Sequence, residues 1–322
     1  MDNLPKESLI YVNCDICRQV DYRLFLPMRG SQFLLSSDSD IVQCSSCGLL
    51  YTNPRPTPEG MIKLYETHFS SPFEHRKSLE LSLHRFVRKH PLWRRLWHDF
   101  TGEYLSEMLD KCRGKILDIG CGFGEMLEDL AARGCAAYGI DANPLSVKIC
   151  TDKGLNVSCG DLNNIHFPDA FFDAAILWHA LEHLPSARLA LREAHRILKS
   201  RGRVFIYCPN AASYLAKLFG KNWKCWSMPF HFYHFTPKTM QKLAESAGFK
   251  IHKIRAITTE YFLAGSFNCY IDGSQSKFLK FLLKSGILRS LPLRIFNAFI
   301  FRVLDLVFSG KGECLRVELI KS

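Results

Sequence analysis

The sequence predicts a doubly wound, mainly parallel α/β sheet of seven strands, preceded by a small cysteine-rich module. Three observations predict it. From Lys115 onward, short apolar runs alternate with helically spaced segments, as right-handed βαβ units require. The first of those runs opens into a turn with glycine at every second position. Two close cysteine pairs stand ahead of it, within residues 14–47.

Strands are expected at 115–119 (KILDI), 136–140 (AAYGI), 156–159 (NVSC), 172–178 (FDAAILW) and 203–208 (RVFIYC). The runs at 249–257 (FKIHKIRAI) and 313–321 (ECLRVELIK) complete the sheet. Near-continuous apolar character suits strands covered on both faces. Helices are expected at 124–134, 143–154, 186–200 and 237–247, the last started by Thr236-Pro237 and stopped by Gly248.

The balance of the chain is globular: of 322 residues, 47% are hydrophobic and 23% charged, which excludes disorder and collagen-like repeats. Forty-two basic against 31 acidic residues leave a net charge of +11. Such a chain meets anionic partners: nucleic acid, phosphorylated substrates or an acidic membrane surface. The start shows no basic region followed by an apolar core, and no apolar run is long enough to span a bilayer. With an odd number of cysteines, 13, this predicts a reducing, cytoplasmic setting, with room for peripheral contact on the inner membrane face.

Three regions are expected: a zinc-ribbon-like module at 1–55, a helical linker or lid at 56–110, and the sheet domain at 111–322 with a helical insertion at 275–308. In the first, Cys14-Asp15-Ile16-Cys17 and Cys44-Ser45-Ser46-Cys47 are CxxC knuckles 26 residues apart, with Gly48 easing the second turn. Four thiolates suit structural zinc; redox chemistry and an iron–sulfur cluster are the alternatives. YRLFLPM (22–28) and FLLSS (33–37) are candidate strands of a hairpin between the knuckles, and the three prolines at 54, 56 and 58 predict a stiff linker after them. Residues 76–98 carry seven basic side chains against Glu80, interleaved with large apolar residues. The insertion 275–308 carries Lys277, Lys280, Lys284, Arg289, Arg294 and Arg302 against Asp305, and Pro292 divides it. It reads as a helical pair over the site, an oligomer interface, or a basic amphipathic segment on an anionic membrane.

The glycine turn, Asp118-Ile119-Gly120-Cys121-Gly122-Phe123-Gly124, lacks the GxxxxGK[ST] of a phosphate loop and brings its third glycine one residue too early for GxGxxG. GxGxG behind Asp118 resembles the first motif of class I S-adenosylmethionine-dependent methyltransferases. Asp141 at the end of the second strand, Gly160-Asp161-Leu162 after the third, and "LEHLP" with "REAHRILKSRG" after the fourth resemble the type-11/type-23 branch over residues 112–250. The resemblance implies a Rossmann-like methyltransferase fold and S-adenosylmethionine held by Asp118, Gly120, Cys121, Gly122, Gly124, Asp141, Ala142, Asp161, Leu162 and Trp178. Within it, Asp141 would take the ribose hydroxyls and Asp161 the adenine amino group.

Methyl transfer is an in-line displacement, so the protein mainly aligns a nucleophile and can also take up its proton. Two clusters follow the expected strand ends: His179, Glu182 and His183 after the fourth, and His231, Tyr233 and His234 after the fifth. Capping, packing and an aromatic lid are their structural readings. HFYHFTPKTM (231–240) resembles a segment of methyltransferases of sugars in cell-envelope polysaccharide pathways. A sugar or small-molecule hydroxyl is therefore the expected acceptor, on a small molecule or glycan. An RNA methyltransferase, suited by the charge and the ribbon, and a non-catalytic cofactor-binding adaptor are the competing functions. Nucleic acid is the weaker partner, because the basic segments are rich in apolar residues.

Overall fold

The computed structural model describes residues 9–28, 39–61, 64, 105–162, 164–258, 265–267, 269–271, 300–301 and 303–322. The N-terminal region gives β1 (Leu9–Ile10), β2 (Tyr22–Leu26), β3 (Asp40–Cys44), β4 (Leu50–Asn53) and β5 (Arg55–Pro56). There follow β6 (Lys115–Ile119), β7 (Ala136–Asp141), β8 (Val157–Cys159), β9 (Phe172–Trp178), β10 (Leu198–Pro209), β11 (Tyr233–His234), β12 (Phe249–Ile257) and β13 (Cys314–Lys321). The helices are α1 (Leu105–Leu109), α2 (Glu125–Ala131), α3 (Pro144–Asp152), α4 (Ala187–Ile197), α5 (Tyr214–Phe219) and α6 (Pro237–Ser246).

Seven strands form the central sheet in the order β12-β13-β10-β9-β6-β7-β8. Only β13 runs antiparallel to its neighbours; β10, β9, β6, β7 and β8 pair in parallel. All seven coincide with the runs read from the sequence, although β10 begins five residues earlier. The chain leaves β6 toward β7 on one side and meets β9 on the other, so the crevice beyond β6 is a topological switch point.

Local chemistry sets the helices around this sheet. The Asn143 side chain accepts from the Leu145 amide and Pro144 takes the first turn of α3. Helix α4 buries Ala187, Ala190, Leu191, Ala194 and Ile197, spaced at threes and fours, which makes one apolar stripe. Thr236 and Thr239 cap α6 reciprocally. Full burial of side chains such as Leu191 and Ile197 stabilises the fold by roughly 1.5–3 kcal/mol each.

The cysteine-rich region joins the sheet domain through shared structure. Strands β2, β3 and β4 form an antiparallel meander, and β11, from beyond β10, is its fourth strand, with Tyr233 opposite Tyr51 and His234 opposite Leu50. The partner of β2 is β3; the proposed strand 33–37 lies outside the described residues. The expected stiff linker is instead ordered structure. Thr52 and Asn53 are buried in β4, and Pro56 pairs with Leu9 in a two-residue ladder. Proline is accepted there because so short an edge asks little of its missing amide. The basic stretch 76–98 lies outside the described residues, as does 275–299. Of the insertion's remainder, 300–301 and 303–307 are helical, and Asp305 accepts from the Thr258 amide and hydroxyl, both at 2.7 Å. Among the described residues, no helix is long and apolar enough to cross a membrane.

One buried acid makes stability depend on pH. Glu313 is fully buried; one oxygen accepts from the Trp223 indole at 2.9 Å and the other has no hydrogen-bond partner. Burial pushes its carboxyl up to about 8. Between 4.5 and 8 the folded chain holds a proton that the unfolded chain releases, so this group costs stability as pH rises through that window. Glu313→Gln should flatten the dependence, with a gain on the order of a few kcal/mol at pH 8.5 from about 1.36 kcal/mol per unit. Thermal denaturation of both proteins at pH 5 and 8.5 checks it; parallel losses would refute it.

Candidate active site

The glycine turn is built by two different demands. Gly120, Gly122 and Gly124 all have positive φ, at 75°, 51° and 82°. A β-carbon at Gly120 would lie 2.8 Å from that of Ala180, and one at Gly124 would lie 2.4 Å from Leu155 Cδ1. These two glycines serve close packing. At Gly122 nothing lies within 4 Å, so the middle of the turn faces open space that a ligand can approach. Cys121 and Cys150 back the turn, the Cys150 thiol donating to the Gly122 carbonyl at 3.3 Å.

Asp141 closes the turn from β7. Its Oδ2 accepts from the Gly122 amide and its Oδ1 from the Asn143 amide, both at 2.8 Å. Asp118, at the buried end of β6, is pushed up to about 7 by burial and then by the Asp141 charge. Burial also raises Asp141, against the two amides that lower it. Ala142 is exposed beside Asp141. Asp161 accepts from the Asn164 amide at 3.0 Å at the turn after β8, while Leu162 is buried in the core. An open glycine turn flanked by two carboxylates fits S-adenosylmethionine, which carries a diol, an adenine and a cationic sulfur. Trp178, partly buried, stacks on Tyr207 with 4.2 Å between ring centres.

Contact between Ala180 and Gly120 seats residues 179–183 against the turn. His179 stands directly after β9 with a positive φ of 52°, a conformation uncommon outside glycine. Its Nδ1 is 3.2 Å from Glu182 Oε1. Glu182 is fully buried, and its Oε2 has no hydrogen-bond partner. His183 and His231 meet edge to face, 4.5 Å between ring centres. Burial holds His183 below and His231 well below the ordinary histidine range.

The expected catalytic set therefore divides. His179, Glu182, His183 and His231 come together, with His234 close enough to act on the charge of His231, while the Tyr233 hydroxyl is engaged elsewhere. The Tyr233 hydroxyl donates to the Pro185 carbonyl at 2.9 Å and accepts from Arg55 at 3.1 Å. His234, pushed down to about 3 by burial, sits 3.4 Å from the Thr52 hydroxyl. Both belong to β11, whose ladder fixes them in the ribbon sheet.

Three contributors escape a sequence reading. Asp15, between the first two cysteines, accepts from the Ser186 hydroxyl at 2.7 Å and the Arg188 amide at 2.9 Å, so the first knuckle caps α4. Arg55 donates to the Pro185 carbonyl at 2.8 Å. Lys242 donates to the Cys47 carbonyl at 2.7 Å. An acid inside a CxxC knuckle is the one signal that pointed to such a contact.

The cysteines meet the demands of a tetrahedral ion. Sγ of Cys14 and Cys47 are 3.4 Å apart, as are those of Cys17 and Cys44, and all four lie within 4.8 Å of one another. Zinc–sulfur bonds of about 2.3 Å imply edges of roughly 3.8 Å. All four are free thiols. A hydrogen bond from Cys14 pulls Cys47 down to about 5, while Cys14 itself is raised. Arg18 and Gly48, each following the second cysteine of a knuckle, turn the backbone with positive φ.

A family model described as a methyltransferase domain matches residues 89–254. A ubiquinone biosynthesis O-methyltransferase of Xanthomonas oryzae pv. oryzae is 31% identical over 111 residues, covering 32% of this chain and 46% of that protein. A tRNA (carboxymethyluridine(34)-5-O)-methyltransferase of Arabidopsis thaliana is 26% identical over 217 residues, 63% of this chain and 46% of that protein. The match thus spans about half the length of these two curated relatives. Among solved structures, the 4+2 cyclase SpnF shares the fold, with a TM-score of 0.50 at 17% identity, over 83% of this chain and 97% of that one.

Proposed function

Since the chain belongs to the methyltransferase-domain family, we propose that it transfers the methyl group of S-adenosylmethionine to a hydroxyl oxygen of a sugar or related small molecule. The observation that carries this reading is the His179–Glu182 pair, 3.2 Å apart and seated against the glycine turn through Ala180. The cofactor, when bound, supplies an electrophilic methyl group on a cationic sulfur. Gly122 lets it approach the turn, Asp141 receives its ribose hydroxyls, and Asp161 its adenine edge. Glu182 orients the ring of His179 through Nδ1, and in this reading Nε2 takes the proton of the attacking hydroxyl. The names of the two relatives above both place the methyl group on oxygen, and the resemblance of residues 231–240 favours a sugar. Zinc at Cys14, Cys17, Cys44 and Cys47 is proposed as a structural ion, because a closed thiolate set has no open position.

His179→Ala should lower kcat about 100-fold or more, the usual contribution of a general base, while S-adenosylmethionine affinity stays within about twofold. Radiolabelled methyl transfer to sugar nucleotides, glycans and RNA, run side by side, provides the substrate for that measurement. Transfer to RNA alone would replace the acceptor class, and an unchanged kcat in His179→Ala would remove the histidine as base.

A further inference from the structure

The interior next to His179 holds an arrangement that proton transfer does not require. Glu182 is 0% exposed, and while its Oε1 faces His179, its Oε2 has no hydrogen-bond partner. His231 is buried, and its Nδ1 lies 2.8 Å from the Cys225 carbonyl; an acceptor at that position fixes the proton on Nδ1 and leaves Nε2 as a lone pair. His183 likewise spends one ring nitrogen on the Phe230 carbonyl. Ligating atoms of Glu182, His183 and His231 then lie within 4.8 Å of one another. A buried carboxylate oxygen without a hydrogen-bond partner, held this close to two ring nitrogens, is costly unless something positive stands beside it.

Two imidazoles and one carboxylate, each imidazole tied through its other nitrogen to a backbone carbonyl, are the ligand set and outer support of a transition-metal centre. We infer that Glu182, His183 and His231 bind a divalent transition-metal cation, separately from the four-cysteine site. Three protein ligands leave a coordination position open. The backbone favours the grouping: the Phe232 amide donates to the Glu182 carbonyl at 2.8 Å, which pins the segment carrying His231 to the one carrying Glu182. Placed beside His179, the cation would acidify a hydroxyl acceptor; that consequence rests on the methyl-transfer reading, whereas the binding site does not.

Cobalt(II) titration of the full chain, first treated with chelator, tests the site directly. The four-cysteine site gives intense sulfur-to-cobalt charge-transfer absorption; a site of nitrogen and oxygen ligands gives only weak ligand-field bands. Wild type should bind two equivalents, one of each signature. Glu182→Gln and His231→Asn should each weaken the second at least about 30-fold and keep the charge-transfer band, which reports that the chain is folded. A wild type that binds only the thiolate equivalent, or a Glu182→Gln protein that keeps both, overturns the inference. Calorimetry with S-adenosylmethionine on the same samples separates the two readings. Cofactor binding without the second cobalt removes the metal site alone. Cobalt binding without cofactor removes the methyl-transfer reading and leaves the metal site standing.

Discussion

Asp141→Ala is expected to weaken S-adenosylmethionine binding by about 100-fold or more while the protein stays folded. Asp141 has two tasks in this structure. One carboxylate oxygen holds the Gly122 amide and the other the Asn143 amide, both at 2.8 Å, so the open middle of the glycine turn is pre-shaped before any ligand arrives. The remaining lone pairs of the same oxygens are what a ribose diol needs. Hydrogen bonds to a charged group are each worth about 1.5–3 kcal/mol, and losing two of them amounts to roughly 3 kcal/mol or more, hence about two decades in Kd. Asp141→Asn, with one acceptor oxygen, should fall between. Calorimetric titration with a circular-dichroism melt on each variant checks the order. A Kd within about threefold of wild type in Asp141→Ala would place the cofactor elsewhere.

The second large effect concerns the four cysteines. Cys44→Ser with Cys47→Ser should abolish tight zinc binding and lower the melting temperature on the order of 10 °C, because structural zinc carries several kcal/mol of folding free energy. The effect should reach the active site, which a detached module could not do. Cys44 ends β3, whose neighbour β4 pairs with β11, and His231 lies two residues before β11. Asp15, inside the first knuckle, caps α4 just beyond Leu181–His183. Methyl transfer by the double variant should therefore fall along with its melting temperature. Zinc content by atomic absorption, melting temperature and activity are the readouts; a metal-free variant that keeps both stability and activity would make the ribbon dispensable.

Some of this was legible in residue order. The seven strands were visible because each is a short apolar run, and the turn after β6 because glycine repeats there. Asp118, Asp141 and Asp161 could be singled out because each stands at or just beyond the end of a strand, where the resemblance expects cofactor contacts. The stack of Trp178 on Tyr207 was not legible in this way, because strand period alone does not say which residues of neighbouring strands meet. That Tyr233 and His234 form an edge strand of the ribbon sheet was not legible for a related reason, since an aromatic, histidine-rich loop and a buried edge strand have the same composition.

The sequence by itself determined the order of the elements, the glycine turn with its acids, and the cysteine spacing, because each depends on residues a few positions apart. Tertiary structure alone decided that the ribbon and the active site share one sheet. The contacts that do this join residues far apart in the chain: Thr52 to His231 across 179 positions, Asp15 to Ser186 across 171. No local period encodes such a pairing. It is selected when burial of both segments forces their backbone polar groups to find each other, and that same closure brings ligating atoms of Glu182, His183 and His231 within 4.8 Å of one another.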